Sequence, residues 1–488
     1  MIISLAGSGP IYQRIYRSIR ELILSGHLAA GTRLPVTREL ARELKVSRNV
    51  VLLAYEELVA EGYALGRVGS GTYVNDALPD LALRARKLAD SWAPLARGST
   101  RISKYGQRLL RLPNNDPGPS PRLPYDFFYG RVRGDDFPLA AWRKIAVRRL
   151  NAPPLGYTDP AGDPRLRNGI AAYLRAHRGV ECDAGQVVVV NGTLQALDIA
   201  TRLLLNPGDR VALEDPHYTV AREVFLSAGM RISAIPVDGD GLLVDRLVRD
   251  SRGIRCVLVT PSHQFPSGAI LSLQRRLALL TWAAKANAYV IEDDYDSEFR
   301  YDSRPIEALQ GIDRGQRVIY IGTFSRSLFP ALRLGYIVAP RPLVPLFSRA
   351  KELADRHSAP WTQQVLADFI AEGHLDRHLR KCRARMQSLR DALLESIGRE
   401  FDDRAEISGS ESGMHVLLRL RGIAGPVLPA LIEAAARQGV GIHSARSYYL
   451  KPPKASELII GYGAMSEDEI RAGVRILVSV LDRLEKQS

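Results

Sequence analysis

Along the first seventy-odd residues the apolar positions follow a helical period. In IYQRIYRSIRELILSG the side chains of Ile11, Ile15, Ile19, Leu22 and Ile23 fall on one stripe, and Gly26 and Gly31 end the run. TRELARELKV predicts a second, shorter helix with Thr37 as its N-cap. RNVVLLAYEELVAEG predicts a third, capped by Ser47, with Val51, Ala54, Tyr55 and Leu58 facing inward. The period then changes: YALGRVGSGTYV predicts a two-stranded hairpin with Gly69, Ser70 and Gly71 at its tip. From Asn75 to about Leu123 no period is sustained and Arg, Pro, Ser and Asn accumulate. A linker is expected there, with a helical piece around LPDLALRARKLADSWAPLA. Beyond Asp126, the short β-branched runs QVVVVNG, RVALEDP, CVLVTPS, AYVIEDDY and VIYIGTF alternate with helical stretches. That pattern predicts a mostly parallel sheet with helices on both faces. From about Ala359 a long helical pattern, short strands and a last helix predict a smaller α+β lobe. The expected fold class is α/β with an N-terminal helical module, divided as 10–75, a linker 76–123, and 124–488.

Composition adds a partner and removes some alternatives. A chain of 488 residues exceeds one ordinary core, which agrees with that division. The net charge of +14 suits a polyanion, nucleic acid above all. No window approaches the ~18 uncharged apolar residues of a membrane span. The start of the chain lacks the basic segment and apolar block of a secretory signal, so a cytoplasmic protein without membrane contact is expected. Cys182, Cys256 and Cys382 are far apart and outside metal-ligand spacing, so reduced thiols and no metal site are expected.

Helix, helix, turn, helix and hairpin make a winged helix-turn-helix. The N-terminal end of its third helix, with Ser47, Arg48 and Asn49, would enter the major groove of an operator duplex. Arginine and asparagine have the donors and acceptors to read guanine and adenine edges. Arg38 and Arg67 flank that end and suit phosphates, and Gly69, Ser70 and Gly71 let the wing approach a groove. Arg84, Arg86 and Lys87 in the linker form a basic cluster that suits DNA or, equally, a solvated helix face. LPVTRELARELKVSRNVVLLAYEELVAEGYALGRVGSGTYV resembles the GntR-family DNA-binding domain, across about 65 residues. Val36 and Val50 stand where members of that family usually carry Ser and Thr.

The most chemical stretch is GTFSRSLFPALRLG, from Gly322 to Gly335. Hydroxyls and two guanidinium groups in a strand-bounded turn suit a phosphate, with a solvated loop as the competing reading. Gly192 and Thr193 open a helix after a strand, so their N–H groups and the helix dipole suit the same anion. Together with AYVIEDDYDSEFRY, GYTDPAG and VNGTLQALD, the stretch resembles the large domain of fold-type I pyridoxal phosphate enzymes. Joined to a GntR head it is similar to the MocR/GabR type of transcription regulator over nearly the whole chain. The resemblance implies that Asp293 faces the pyridine nitrogen, with Asp294 pointing the other way. It implies that Tyr295 bonds the ring hydroxyl, that Tyr218 stacks on the ring, and that Thr323, Ser325 and Arg333 complete the phosphate cup. It also implies a homodimer, in which Tyr157 crosses from the other subunit.

Arg326 departs from that pattern. It lies 33 residues beyond Asp293, where the family carries its Schiff-base lysine. A guanidinium stays protonated and has no free nucleophilic nitrogen pair. Three readings stay open: pyridoxal 5′-phosphate held noncovalently, another anionic ligand, or an introduced substitution. Two carboxylate-gripping arginines of amino-acid-using members are also replaced, by Ile459 and Val220, with Arg222, His217 or Arg446 as substitutes; His263 is a weaker candidate. The expected function is a DNA-binding regulator whose aminotransferase-like domain senses a small molecule and is catalytically inactive, with no catalytic residues. The alternative is a working aminotransferase with an accessory DNA-binding head.

Overall fold

The computed structural model describes residues 3–5, 8–67, 69–76, 102–113, 123–131, 136–301, 306–424, 427–453 and 455–486. The helix expected at 78–96, with Arg84, Arg86 and Lys87, lies outside the described residues. The chain forms two compact units, Met1–Ile102 and Ser103–Ser488.

In the first unit, α1 (Ile11–Leu24), α2 (Thr37–Leu44) and α3 (Arg48–Ala60) precede an antiparallel hairpin, β1 (Ala64–Arg67) and β2 (Gly71–Val74). The stripes of the three helices meet: Ile15, Ile19, Ile23, Leu40, Val51, Ala54, Tyr55 and Leu58 form one buried core. Capping differs from expectation. α2 begins at Thr37 itself, because the carbonyl of the extended Val36 already accepts from the N–H groups of Glu39 and Leu40. The Thr37 hydroxyl instead accepts from Arg48 Nε at 3.4 Å. Ser47 does sit at the N-cap of α3, but its side chain makes no capping hydrogen bond.

The second unit is built on an eight-stranded sheet. Its spatial order is β4 (Val187–Val190), β11 (Gly335–Val338), β10 (Val318–Thr323), β9 (Tyr289–Asp294), β8 (Ile254–Val259), β5 (Arg210–Asp215), β6 (Arg231–Asp238) and β7 (Gly241–Leu242). All run parallel except β11 and the short β7. Side chains of the central strands alternate between two cores. Val187, Val189, Tyr320 and Tyr336 join helices Pro164–Arg178 and Pro360–Ala371, whereas Val188, Val190, Ile319 and Ile321 join Thr193–Leu204 and Thr219–Ala228. With both faces covered, the strands read as continuous apolar runs.

The smaller lobe carries an antiparallel sheet of β12 (Ala405–Ser408), β13 (His415–Ala424), β16 (Ala455–Gly461) and β15 (His443–Ser444), and a two-stranded parallel pair, β3 (Tyr125–Asp126) with β14 (Val440–Gly441). Helices His374–Phe401 and Glu467–Glu485 pack with it around a core that also takes in Phe127 and Phe299. The lobe begins later than about 359. Helix Pro360–Ala371 puts Val365, Leu366 and Phe369 into the core of the large sheet. Gly373, at φ 69°, separates it from His374–Phe401. That helix places Leu375 and Leu379 in the large core and Met386 onward in the lobe, so the boundary falls inside it. Part of the expected linker is anchored too. Ser103 caps helix Lys104–Leu109, and Arg108 Nε donates to the Ser227 carbonyl at 2.7 Å. Among the described residues no helix is long and apolar enough to cross a membrane.

Candidate functional site

Parallel strands end together, and the segments beyond their C-terminal ends converge on one space. Here that space is a cavity of about 380 Å³. After β4 comes Thr193; after β5, Tyr218; after β8, Thr260; at the end of β9, Asp293 and Tyr295; at the end of β10, Thr323, Ser325 and Arg326. Arg333, just before β11, closes the ring.

Alternation along β9 decides which acid enters. Glu292 accepts from the N–H groups of Leu309 and Gln310 at 2.8 and 2.9 Å. Asp294 lies two residues on, accepts from Arg178 Nε at 2.8 Å and is bonded to the Tyr320 hydroxyl. Asp293 points to the opposite face, into the cavity, and its Oδ1 is buried without a hydrogen-bond partner. Burial, reinforced by Asp294, Asp296 and Glu214 and opposed by Arg326, pushes its pKa up to about 7.

Backbone geometry shapes the part of the wall around Arg333, where the phosphate was expected. Gly192 is the N-cap of helix Thr193–Leu204 at φ 95°, and a Cβ there would come within 3.0 Å of Arg333 Nη2. Arg333 donates to the Asn191 carbonyl at 2.7 Å. The Thr323 hydroxyl accepts from Ser325 N at 3.1 Å, which holds the turn.

The Arg326 guanidinium lies 4.4 Å over the Tyr129 ring and against the Cα of Gly130. A Cβ at Gly130 would collide with Nη1, so glycine makes the room that the arginine uses. Burial works against the Arg326 charge. Tyr129, Asp296, Tyr218 and Tyr295 outweigh it and raise its pKa above the ordinary guanidinium value. Arg326 is therefore a fixed cation.

Several candidates lie elsewhere. Tyr157 is 80% exposed, stacked under the Arg356 guanidinium at 4.3 Å and outside its own chain's cavity. His217 is buried with neither ring nitrogen bonded, and burial followed by Arg222 holds its pKa down to about 3. It does not line the cavity, nor do Val220, Arg222, Arg446 or Ile459. His263 sits behind the wall: its Nδ1 is 3.0 Å from Asp296 and 3.1 Å from the Tyr295 hydroxyl. His263, Asp296 and His415 bring ring nitrogens and a carboxylate oxygen within 4.8 Å of one another. Chain order held no hint of that grouping, because His415 arrives from the smaller lobe. Tyr129, Gly130 and Phe265 were also missed; for the first two the aromatic run FFYG, Phe127 to Gly130, was the available signal.

In the first unit Arg38, Ser47, Arg48, Asn49, Arg67, Gly69, Ser70 and Gly71 are all exposed. Arg67 lies 4.8 Å over the Tyr73 ring, which aims it along the hairpin.

Comparison with known proteins gives the same two parts. Residues 11–74 match the model of bacterial regulatory proteins of the gntR family, and residues 130–477 match aminotransferase class I and II. "Probable rhizopine catabolism regulatory protein MocR" of Rhizobium meliloti is 37% identical over 480 residues, covering 98% of this chain and 94% of that one. The HTH-type transcriptional regulator YhdI of Bacillus subtilis is 35% identical over 475 residues, covering 96% and 95%. Among solved structures, a multiple substrate aminotransferase from Thermococcus profundus is similar with a TM-score of 0.70 at 26% identity, covering 82% of this chain and all of that one. A winged helix followed by this aminotransferase fold, matched end to end by such relatives, places the chain in the MocR-type family of GntR transcriptional regulators.

Proposed function

We propose that this regulator binds operator DNA as a homodimer. Its aminotransferase-like domain senses pyridoxal 5′-phosphate or a close relative, held noncovalently and not turned over. The observation that carries this reading is the Arg326 guanidinium at the cavity wall, a permanent cation where the resemblance puts the tethering lysine. The residues fit the cofactor. The unpartnered Asp293 Oδ1 suits a protonated ring nitrogen, Tyr218 supplies a stacking face, and Tyr295 has a hydroxyl for the ring oxygen. Thr193, Thr323, Ser325 and Arg333 suit the phosphate. When bound in an enzyme, the cofactor supplies an electron sink; the protein's part is binding and orientation. Here those parts are present without the amine that transamination needs for covalent attachment and proton transfer. Tyr157, exposed on its own subunit, would complete the partner's cavity. Ligand would act by its different affinity for two arrangements of the dimer.

The test has two arms. Titrating the purified protein with pyridoxal 5′-phosphate should give saturable binding with the absorbance of the free aldehyde. Borohydride should leave no attached cofactor, and Arg326→Lys should gain the yellow Schiff-base band. Covalent cofactor on the unaltered chain, or transamination above background, overturns the inactive reading. In the second arm, a mobility shift should favour DNA from beside its own gene over random duplex, and no such preference would remove the operator.

A further inference from the structure

The cavity holds two kinds of cation. Arg333 is committed: it bonds the Asn191 carbonyl and flanks the helix start at Thr193. Arg326 is uncommitted. Among the described residues it makes no hydrogen bond and no ion pair; the Tyr129 ring lies against it, and Asp296 and Asp293 act on its charge from beyond ion-pair distance. Its position is nevertheless held. The Tyr129 ring centre lies 4.4 Å from its guanidinium carbon, and the bare Cα of Gly130 lets Nη1 come close. A guanidinium carries five N–H donors in a rigid fork and no acceptor. With those donors unused beside a cavity, it asks for an acceptor group with two oxygens, a carboxylate or a phosphate. With the phosphate given to the Thr193–Arg333 side, the group left for Arg326 is a carboxylate. An aldehyde offers one acceptor oxygen, and an aminomethyl group is a second cation.

Resting on the pocket reading above, we infer that Arg326 is a specificity-determining residue. It selects, among pyridine 5′-phosphates, a ligand with a carboxylate at the ring position where the cofactor carries its aldehyde. The effector class is then a phosphopyridine carboxylate, with two anionic groups, the oxidised relative of the cofactor. The phosphate goes to the Thr193–Arg333 cup, the ring nitrogen to Asp293 and the carboxylate to Arg326. The pocket lacks both family carboxylate grips, since Val220 and Ile459 stand in their places outside it. The carboxylate it recognises therefore belongs on the ring and not on an amino acid joined to the ring.

Calorimetric titration of the full chain near pH 7.5 tests this with three pyridine 5′-phosphates, bearing aldehyde, aminomethyl or carboxylate at that position, and with inorganic phosphate alone. The carboxylate compound should bind about tenfold or more tighter than the aminomethyl compound, with the aldehyde between. Arg326→Gln should collapse that spread while phosphate binding stays as it was. The ligand series on the unaltered chain needs no variant to fold. Equal affinity for all three, or a spread that persists in Arg326→Gln, overturns the carboxylate preference and leaves the pocket reading standing. No saturable binding of any pyridine phosphate overturns both.

Discussion

Asp293 carries a strong constraint on what can occupy the cavity. Its Oδ1 is buried and unpartnered, and its pKa stands near 7, above the ordinary carboxyl value, chiefly through burial. The sign comes from linkage. The folded state keeps a proton that the unfolded chain gives up, so the stability it contributes is full at low pH. That contribution is lost as pH rises from about 4 to about 7. Asp293→Asn keeps the shape without the titration. The variant should therefore gain on the unaltered protein across that window, by roughly 2–4 kcal/mol, while its affinity for a pyridine 5′-phosphate falls at least about tenfold. Thermal unfolding at pH 5 and pH 8 with no ligand present checks the first part. Parallel pH profiles of the two proteins would show that Asp293 is not the group responsible. Glu214, also raised to about 7 by burial, keeps its hydrogen bonds to Thr260 and so adds a background slope common to both.

At the scale of elements, the proposed operator contact divides between the start of α3 and two arginines on neighbouring elements. Arg48 and Asn49 stand exposed on the first turn of α3, where a helix presents side chains to base edges. Arg38 on α2 and Arg67 on β1 are exposed as well. Alanine at Arg48 or Asn49 should cost about 1–3 kcal/mol on the cognate operator and little on random DNA, flattening discrimination. Alanine at Arg38 or Arg67 should weaken both duplexes alike and lower the salt slope by about 1. Binding isotherms over a salt series separate the two classes, and equal loss on both duplexes for Arg48→Ala would exclude base reading there. The same scale explains where sequence reasoning slipped. Thr37 looks like a cap in TRELARELKV, yet the backbone of Val36 takes that place, because an extended residue after Pro35 already turns its carbonyl to the next amides.

For the whole molecule, the exposed Tyr157 is the residue through which the proposed homodimer can be tested. It is displayed with Arg356 over its ring, away from its own cavity. If it completes the partner's cavity, the protein should sediment at twice the chain mass. Tyr157→Ala should then weaken ligand binding several-fold while leaving the unliganded Tm unchanged, since an 80% exposed side chain contributes little to its own chain's core. A monomer in sedimentation, or unaltered affinity in the variant, would count against this assembly.

Periodicity alone determined the winged helix, because its three helices bury stripes that meet one another within a short stretch of chain. It determined the parallel sheet too, since doubly covered strands must be apolar throughout. The resemblance carried by the strand-end motifs pointed to Asp293, Tyr218, Thr323, Ser325 and Arg333, all of which line the cavity. Tertiary structure decided the rest. Gly130 and Tyr129 meet Arg326 across almost two hundred residues of chain, and His415 reaches His263 from another lobe. The lobe boundary falls inside a helix whose two halves serve different cores. The physical reason is common to all three: local pattern records which face a residue buries, whereas the identity of its neighbour depends on which strands and helices end beside it.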